Sequence, residues 1–231
     1  MAARRDLEKQ NLARARLGRA YSVFPIRAKG PNPNPGIEYC VPGISGNTSF
    51  QDPASLLSGG EETLAAVLKW GLLPSWADKA DAKPINAKVE TAATKPYFRK
   101  AWKSGRCLIP GDGWYEWTEE AKAGKQPWFI RRSDDVPVLF AGLWEHNPHS
   151  GDSTFAILTM ATDGEMKAIH ERKPVVLGRE DALRWTDLSL KPDEIREVAN
   201  SALHDDRFIW HKVTTRVNNP RNDGPELLQV I

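Results

Sequence analysis

The chain has 231 residues, of which 40% are hydrophobic and 27% charged, and its formal net charge is +2. This composition is typical of a globular domain with a sizeable core, and it excludes a disordered or fibrous chain. No apolar run approaches the roughly 20 residues that a membrane-spanning helix needs, and the opening MAARRDLEKQNLARAR contains no apolar signal core. We therefore expect a cytoplasmic protein with no membrane partner.

The predicted elements, in chain order, are mostly short strands. A helix is predicted over residues 4–17, short strands over 21–24 and 37–41, and a loop over 42–62. β-Branched and aromatic runs bounded by turn residues predict further strands over 67–72, 106–109, 114–117, 128–131, 138–144, 154–159, 174–177 and 208–213. Helices are predicted over 96–102, 164–169, 180–186 and 193–203.

Many closely spaced strands with a few inserted helices indicate an α+β fold. We expect a curled, mostly antiparallel, barrel-like sheet with a few peripheral helices. The sequence shows no internal repeat and no linker, so one domain is predicted over residues 1–231, with residues 1–20 as a divergent N-terminal segment.

The two cysteines, Cys40 and Cys107, show neither metal-type spacing nor a disulfide framework. The sequence also contains no glycine-rich phosphate loop. No cofactor and no metal are therefore implied.

Positive charge is concentrated in one segment. Between Lys79 and Arg106 there are eight basic and two acidic residues, a net charge of +6 in a nearly neutral chain. Such a segment indicates a polyanion-binding surface, although a solvated face that maintains solubility gives the same pattern. Six of the nine tryptophans lie in the same half, and aromatic rings interleaved with basic residues are typical of a groove for single strands. Trp76, in the polar context PSWADK, is the candidate for an exposed stacking residue.

Three short segments carry polar groups that could form a site. Asn86, Lys88 and Glu90 recur at every second position, so an extended chain would present them on one side. Glu116 lies within a run of aromatics, where burial would raise the pKa of its carboxyl and suit it to proton transfer. His170 lies between an apolar pair and a predicted strand and could act as an acid or base. An exposed strand face, a structural salt bridge and a structural histidine are the alternatives.

At these same segments the sequence resembles the SRAP (SOS response-associated peptidase) family. The similarity runs from about Tyr21 to the C-terminus and includes long motifs. These are LKWGLLPSWA, INAKVETAATKPYFRKAW, RCLIPGDGWYEW, KQPWFI, FAGLWE, IHERKPVVL and FIWHKVTTRVNNPRNDGPELLQ.

The resemblance implies one α+β domain with a basic cleft for single-stranded DNA. It also implies that abasic sites, whose opened sugar exposes an aldehyde, are trapped by a cysteine directly after the initiator methionine. The amine and thiol of that cysteine condense with the aldehyde into a thiazolidine, a DNA–protein cross-link that shields the lesion. The implied partners are single-stranded and abasic-site DNA. The implied setting is DNA repair in the DNA-damage (SOS) response, with a monomer that is nucleoid-associated when bound to DNA.

The motifs carry the family's residue roles onto this chain. Asn86 would orient the aldehyde or the reactive N-terminus, Glu116 would transfer protons for the amine, and His170 would act as acid–base on the sugar adduct. Lys88 stands where the family usually has arginine, so the charge is kept and the bidentate fork is lost. The remaining residues in the implied DNA-binding set are Trp76, Glu90, Arg172 and Arg216.

The opening departs from the family pattern, because Met1-Ala2-Ala3-Arg4 stands where the family has Met-Cys-Gly-Arg. Neither Cys40 nor Cys107 is N-terminal, and both fit strand positions where a free thiol is inert. A thiazolidine needs an amine and a thiol on one residue, so we do not expect this chain to form one. Three explanations are open: the native start lies elsewhere, a divergent member has lost the cysteine, or the Ala2 α-amine, with a pKa of roughly 8, forms a Schiff base.

Three functions follow from these explanations. The first is abasic-site recognition in single-stranded DNA, in which the covalent chemistry is absent or is reduced to a transient imine with lyase chemistry promoted by Glu116 and His170. The second is a non-catalytic module that binds single-stranded nucleic acid. The third is a thiol peptidase, a hydrolase activity that the family name suggests but for which the sequence offers no Cys–His pair.

Overall fold

The computed structural model describes residues 54–58, 63–78, 83–120, 124–219, 221–222 and 224–231. The predictions for the helix over 4–17, for the strands over 21–24 and 37–41, and for Ala2 and Cys40 lie outside the described residues.

Within the described ranges, eleven strands form two sheets. In chain order they are β1 Ala54–Ser58, β2 Thr63–Val67, β3 Lys69–Trp70, β4 Asn86–Lys88, β5 Arg106–Gly111, β6 Trp114–Glu120, β7 Gly124–Arg132, β8 Val138–His146, β9 Ser153–Ala161, β10 Arg172–Pro174 and β11 Phe208–Lys212. The larger, curled sheet has the order β10–β9–β8–β5–β1–β2, with β3 and β4 also paired to β9. The smaller sheet has the order β11–β7–β6. All pairs are antiparallel except β3–β9 and β4–β9.

Four short α-helices are present in the described ranges. They are α1 Val89–Ala92, α2 Arg99–Ser104, α3 Arg179–Thr186 and α4 Pro192–Asn200. Helix α4 begins at a proline and has a capping box in which the Glu194 carboxylate accepts from the Lys191 backbone N–H. None of the helices in the described ranges is long and apolar enough to cross a membrane.

The larger sheet is covered on both faces. Leu108 and Leu158 point to one face, where they belong to a cluster with Trp102, Trp185 and Val198 of the helices. Their neighbours Cys107 and Ile109 on β5 point to the other face and pack with Ile130, Phe208 and Trp114 of the smaller sheet. This alternation follows from the two-residue period of a strand, and each fully buried large side chain stabilises the fold by about 1.5–3 kcal/mol.

The predicted α+β fold with a curled, mostly antiparallel sheet is confirmed. The predicted strands within β5, β6, β7, β8, β9 and β11 and the helices near α2, α3 and α4 are present.

Four local predictions need correction. The loop predicted over 42–62 contains β1, which is held by pairing with β2 and β5, two strands that lie elsewhere in the chain. The strand predicted over 67–72 is interrupted at Leu68, between β2 and β3. The helix predicted over 164–169 is a 3-10 turn, Glu165–Ala168. The strand predicted over 174–177 ends at Pro174. Beyond it, Val176 forms an isolated bridge to Phe140, and the Val175 N–H still donates to the Leu158 carbonyl at 2.8 Å.

Candidate functional site

The end of β9 pairs with the two strands that carry Asn86, Lys88 and Arg172. Thr159 pairs with Lys88 of β4 in a parallel ladder and with Pro174 of β10 in an antiparallel one. A strand residue has one neighbour on each edge, so β4 and β10 flank β9 there. Because neighbouring strands lie about 4.8 Å apart, the two flanking strands lie about 10 Å apart. Strands β4 and β10, which are distant in sequence, are thereby brought close together.

Strand β4 presents two of the predicted residues to solvent. Asn86 and Lys88 are exposed, whereas Ala87 between them is 1% exposed and belongs to the core. The strand ends at Lys88, and Glu90 lies in helix α1. The predicted extended segment therefore ends at Lys88 and does not reach Glu90, although Glu90 is exposed as Asn86 and Lys88 are.

Arg172 connects the two flanking segments through Glu90. Its Nη1 and Nη2 atoms donate to the two carboxylate oxygens of Glu90, each at 3.0 Å, and Nη2 also donates to the Thr159 carbonyl at 2.6 Å. The hydrogen bond from Arg172 is the main cause that lowers the pKa of Glu90. The arrangement is a bidentate, charge-assisted pair, so the guanidinium fork already holds an anion.

Glu116 lies on β6 in an aromatic environment. It is directly opposite Trp128 on β7 and is flanked in sequence by Tyr115 and Trp117. Its side chain is 18% exposed. Burial raises the pKa of Glu116 to about 7, and the nearby positive charge of His170 opposes part of that rise. The expectation that its aromatic surroundings raise this pKa is confirmed, and near neutral pH the carboxyl can give or take a proton.

His170 lies close to Glu116, with 3.9 Å between its Nδ1 atom and Glu116 Oε2. Nδ1 is 2.8 Å from the Arg172 carbonyl oxygen and 3.1 Å from the Arg172 backbone N–H. The first contact requires Nδ1 to donate and the second requires it to accept. Either tautomer of the half-exposed ring therefore has a backbone partner.

Trp76 and Arg216 make their contacts with residues other than Glu116 and His170. Trp76 is 60% exposed and makes an edge contact with Tyr97 at 6.1 Å between ring centroids. Arg216 lies in the turn Thr215–Asn218, 3.7 Å from Glu226. Within the described residues, no hydrogen bond or ion pair links Trp76 or Arg216 to Glu116 or His170.

Arg106, the last residue of the basic segment, and Cys107 next to it are not available to a ligand. Arg106 is fully buried, so the predicted charge concentration is smaller at the surface than in the sequence. Cys107 is likewise fully buried, and burial raises the pKa of its thiol far above the ordinary value. The expectation that Cys107 is an inert core residue is confirmed.

Sequence reasoning did not single out Thr159 or Trp128 as parts of the site. Thr159 binds Arg172, and Trp128 stands opposite Glu116 while its Nε1 donates to Thr118 Oγ1 at 2.9 Å. Both roles depend on which strands pair, and no local pattern signals that pairing. Within the described residues, no group of three or more His, Cys, Asp or Glu side chains is arranged to hold a metal ion.

Comparison with known proteins agrees with this fold and these motifs. The family model for SOS response associated peptidase (SRAP) matches residues 36–220. Abasic site processing protein YedK of Escherichia coli is 39% identical over 165 residues, which cover 70% of this chain and 73% of YedK. Abasic site processing protein YoqW of Bacillus subtilis is 35% identical over 185 residues, which cover 78% of this chain and 82% of YoqW.

Solved structures share the same fold. A crystal structure of a Bacteroides thetaiotaomicron protein has a TM-score of 0.68 at 25% identity, over 79% of this chain and 82% of that one. A phage-related protein from Bordetella bronchiseptica has a TM-score of 0.65 at 28% identity, over 85% and 89% of the two chains. The match of sequence motifs, family model and fold leads to one conclusion: the chain belongs to the SOS response associated peptidase (SRAP) family.

Proposed function

We propose that this protein processes abasic sites in single-stranded DNA by binding the strand and reacting with, or recognising, the aldehyde of the opened sugar. The observation that carries the proposal is the pair of Glu116 and His170, 3.9 Å apart, in which burial raises the pKa of the carboxyl to about 7. Relatives that are 35–39% identical to this chain are named abasic site processing proteins.

The chemistry of an aldehyde and an amine fits this pair. The amine nitrogen attacks the aldehyde carbon, and the resulting hydroxyl leaves as water when a proton is delivered to it. Glu116, which holds its proton in part near neutral pH, would accept the proton from the amine and return it to the departing hydroxyl. The amine would be the α-amine of Ala2, which lies outside the described residues, or that of a lysine.

The second half of the reaction requires a base and an acid on the sugar. Glu116, as the carboxylate, would accept a proton from the carbon beside the imine. The electrons of that C–H bond would form a carbon–carbon double bond and the C–O bond to the 3′ phosphate would break, so that the phosphate leaves by β-elimination. His170 would exchange a proton with the sugar oxygen as the ring opens or closes, because both of its tautomers are held by the backbone. The Asn86 amide, exposed at the start of β4, would hydrogen-bond the aldehyde oxygen.

Strand binding would use the surrounding cations and one aromatic ring. Lys88 lies next to Asn86 with an exposed side chain and would pair with a phosphate, as would Arg216. Arg172 would bind phosphate by exchanging it for Glu90, its present partner. Trp76, 60% exposed, offers its ring face to a base.

Borohydride trapping tests the covalent step. A single strand with one abasic site and the same strand without it are incubated with the protein, with and without borohydride. We expect a slow-migrating product that needs both the abasic site and the reductant, because reduction fixes an imine. Glu116→Gln should reduce the trapping rate about 100-fold or more, which is the usual contribution of a general acid–base group.

Lys191→Ala, which removes an exposed lysine at the start of α4, is the matched control and should trap at the wild-type rate. The proposal fails if no product forms and the protein binds the abasic and intact strands equally well.

The runner-up function is a binding module without covalent chemistry, and the exposed Trp76 and Lys88 support it. Salt-sensitive binding that is equal for both strands, with no trapped product, is the result that favours this function. A thiol peptidase acting through Cys107 is not proposed, because that thiol is fully buried and its pKa is raised.

A further inference from the structure

Lys173 is a buried cation that the proposed reaction does not use. Its side chain is 2% exposed, and its Nζ atom donates to Asp163 Oδ1 at 2.8 Å, to Asp205 Oδ1 at 2.6 Å and to the Leu203 carbonyl at 3.3 Å. A buried ammonium is costly unless it is paired and hydrogen-bonded. All three N–H donors of this ammonium have acceptors, so the buried positive charge is both paired and fully hydrogen-bonded.

The cluster joins the two ends of the connection, the chain segment between β9 and β10 that carries His170. Asp163 lies just after β9 and Lys173 lies within β10, so their ion pair joins the two ends of the chain segment between these strands. Next to this ion pair, the Thr162 hydroxyl donates to the His170 carbonyl at 2.8 Å, and the Thr162 N–H donates to the Glu171 carbonyl at 3.0 Å. These two bonds, both within the connection, fix the position of the His170 backbone.

The third member attaches this connection to the rest of the molecule. Asp205 lies in the turn Asp205–Arg207 that leads into β11, and its Oδ2 atom accepts the Gly164 N–H at 2.8 Å. A Cβ atom at Gly164 would lie 2.7 Å from that oxygen, so the close approach requires glycine. One aspartate thus holds both ends of the connection, Gly164 directly and Lys173 through its ammonium.

Two carboxylates balance the positive charge of Lys173, and one histidine lies beside them. The titratable groups that contact Lys173 are Asp163 and Asp205, and His204 adds a third group, with Nδ1 3.1 Å from Asp163 Oδ2. The hydrogen bond from Lys173 is the main cause that lowers the pKa of Asp163 far below its ordinary range. Asp163 therefore stays ionised throughout the neutral range, and its bond to Lys173 does not weaken there.

We propose that Lys173 is a positioning residue, and that its cluster with Asp163 and Asp205 holds the imidazole of His170 within reach of Glu116. Alternation along β10 supports this role, because Arg172 points to Glu90 while Lys173 points to Asp205. The contribution to catalysis rests on the proposed function, whereas the positioning itself does not.

NMR titration of Glu116 in the full chain tests the positioning. An imidazolium lowers the pKa of a nearby carboxyl, and His170 has this effect on Glu116. If Lys173→Met releases the segment that carries His170, the imidazole moves away from Glu116. We expect the Glu116 midpoint to move up by about one pH unit. A structural role confined to overall stability would leave this midpoint in place.

Lys167→Met is the matched control, because it makes the same change at an exposed lysine of the same segment and should leave the Glu116 midpoint unaltered. Asp163→Asn, which keeps the bond between Lys173 and Asp205, should raise the Glu116 midpoint by less, and it provides the test if Lys173→Met does not fold. A wild-type Glu116 midpoint in a folded Lys173→Met or Asp163→Asn protein overturns the proposal. If the midpoint shifts but wild-type protein shows no preference for abasic DNA, the positioning stands and only the proposed function fails.

Discussion

The buried carboxyl of Glu116 lowers the free energy of unfolding near neutral pH, where it can also transfer protons. Its pKa is raised from an ordinary value of 4.5 to about 7 because the carboxylate is buried. Between these two pH values the unfolded chain has released the proton while the folded chain still holds it. The free energy of unfolding therefore falls as the pH rises through this window, by about 3 kcal/mol at 1.36 kcal/mol per pKa unit.

Glu116→Gln should remove that pH-dependent loss. We expect the variant and the wild type to have similar free energies of unfolding at pH 4. At pH 8 the variant should be more stable by about 3 kcal/mol. Urea unfolding at a series of pH values measures this difference. Glu119→Gln changes an exposed carboxyl on the same strand, whose side chain is 77% exposed, and is the control. A difference between Glu116→Gln and wild type that is independent of pH would contradict the prediction.

At the scale of elements, Arg106 joins the ends of two helices. Its Nη1 donates to the Trp102 and Lys103 carbonyls at 3.0 and 2.8 Å, at the end of α2. Its Nε donates to the Trp185 carbonyl at 2.8 Å, and its Nη2 donates to the Asp187 carbonyl, at the end of α3. A helix C-terminus carries partial negative charge, so two such ends stabilise one buried cation.

Arg106→Met should destabilise the protein by about 3 kcal/mol or more, because buried carbonyls at both helix ends lose their donor. Urea unfolding of the variant measures the loss. Arg184→Met, in the same region but at an exposed surface with ion pairs to Asp181 and Glu197, should cost less than about 1 kcal/mol. Equal effects of the two substitutions would show that Arg106 does not hold the helix ends.

Local sequence pattern predicts some of the strands and not others. Strands such as β6 and β8 are rich in aromatic and β-branched residues, and local pattern predicts them. Strand β1, ASLLS, has no such signal, and it is paired with the next strand, β2, and with the distant strand β5. The same limit applies to the site. Glu116 and His170 stand out by their context, whereas Thr159 and Asp205 acquire their partners only when distant segments pack together.

At the scale of the whole molecule, the basic residues have unequal access to a ligand. Arg106 is buried, and Arg172 is bound to Glu90. Lys100 lies 3.5 Å from the buried Glu145. Lys88 is exposed at the end of β4, beside the end of β9. The salt dependence of DNA binding should therefore be less steep than the net charge of the segment implies.

Lys88→Ala should reduce the slope of log affinity against log salt concentration by about 0.7, the contribution of one phosphate contact on a single strand. Fluorescence anisotropy with a labelled single strand at several salt concentrations measures the slope. Lys191→Ala should leave it unchanged. An unaltered slope in Lys88→Ala would remove that lysine from the proposed binding surface.

Strand β9 has neighbours along both edges, with β3 and then β4 on one side and β8 and then β10 on the other. Its amides can exchange with solvent hydrogen only when the surrounding sheet opens, which places it in the most slowly exchanging part of the molecule. Asn86 and Lys88 on β4 are attached to one side of this strand and Arg172 on β10 to the other, whereas Glu116 lies on β6 of the smaller sheet. Unfolding that reaches β9 therefore separates Asn86 and Lys88 from Arg172 in one step. Unfolding confined to the smaller sheet removes Glu116 and leaves the β4–β9–β10 part of the site in place.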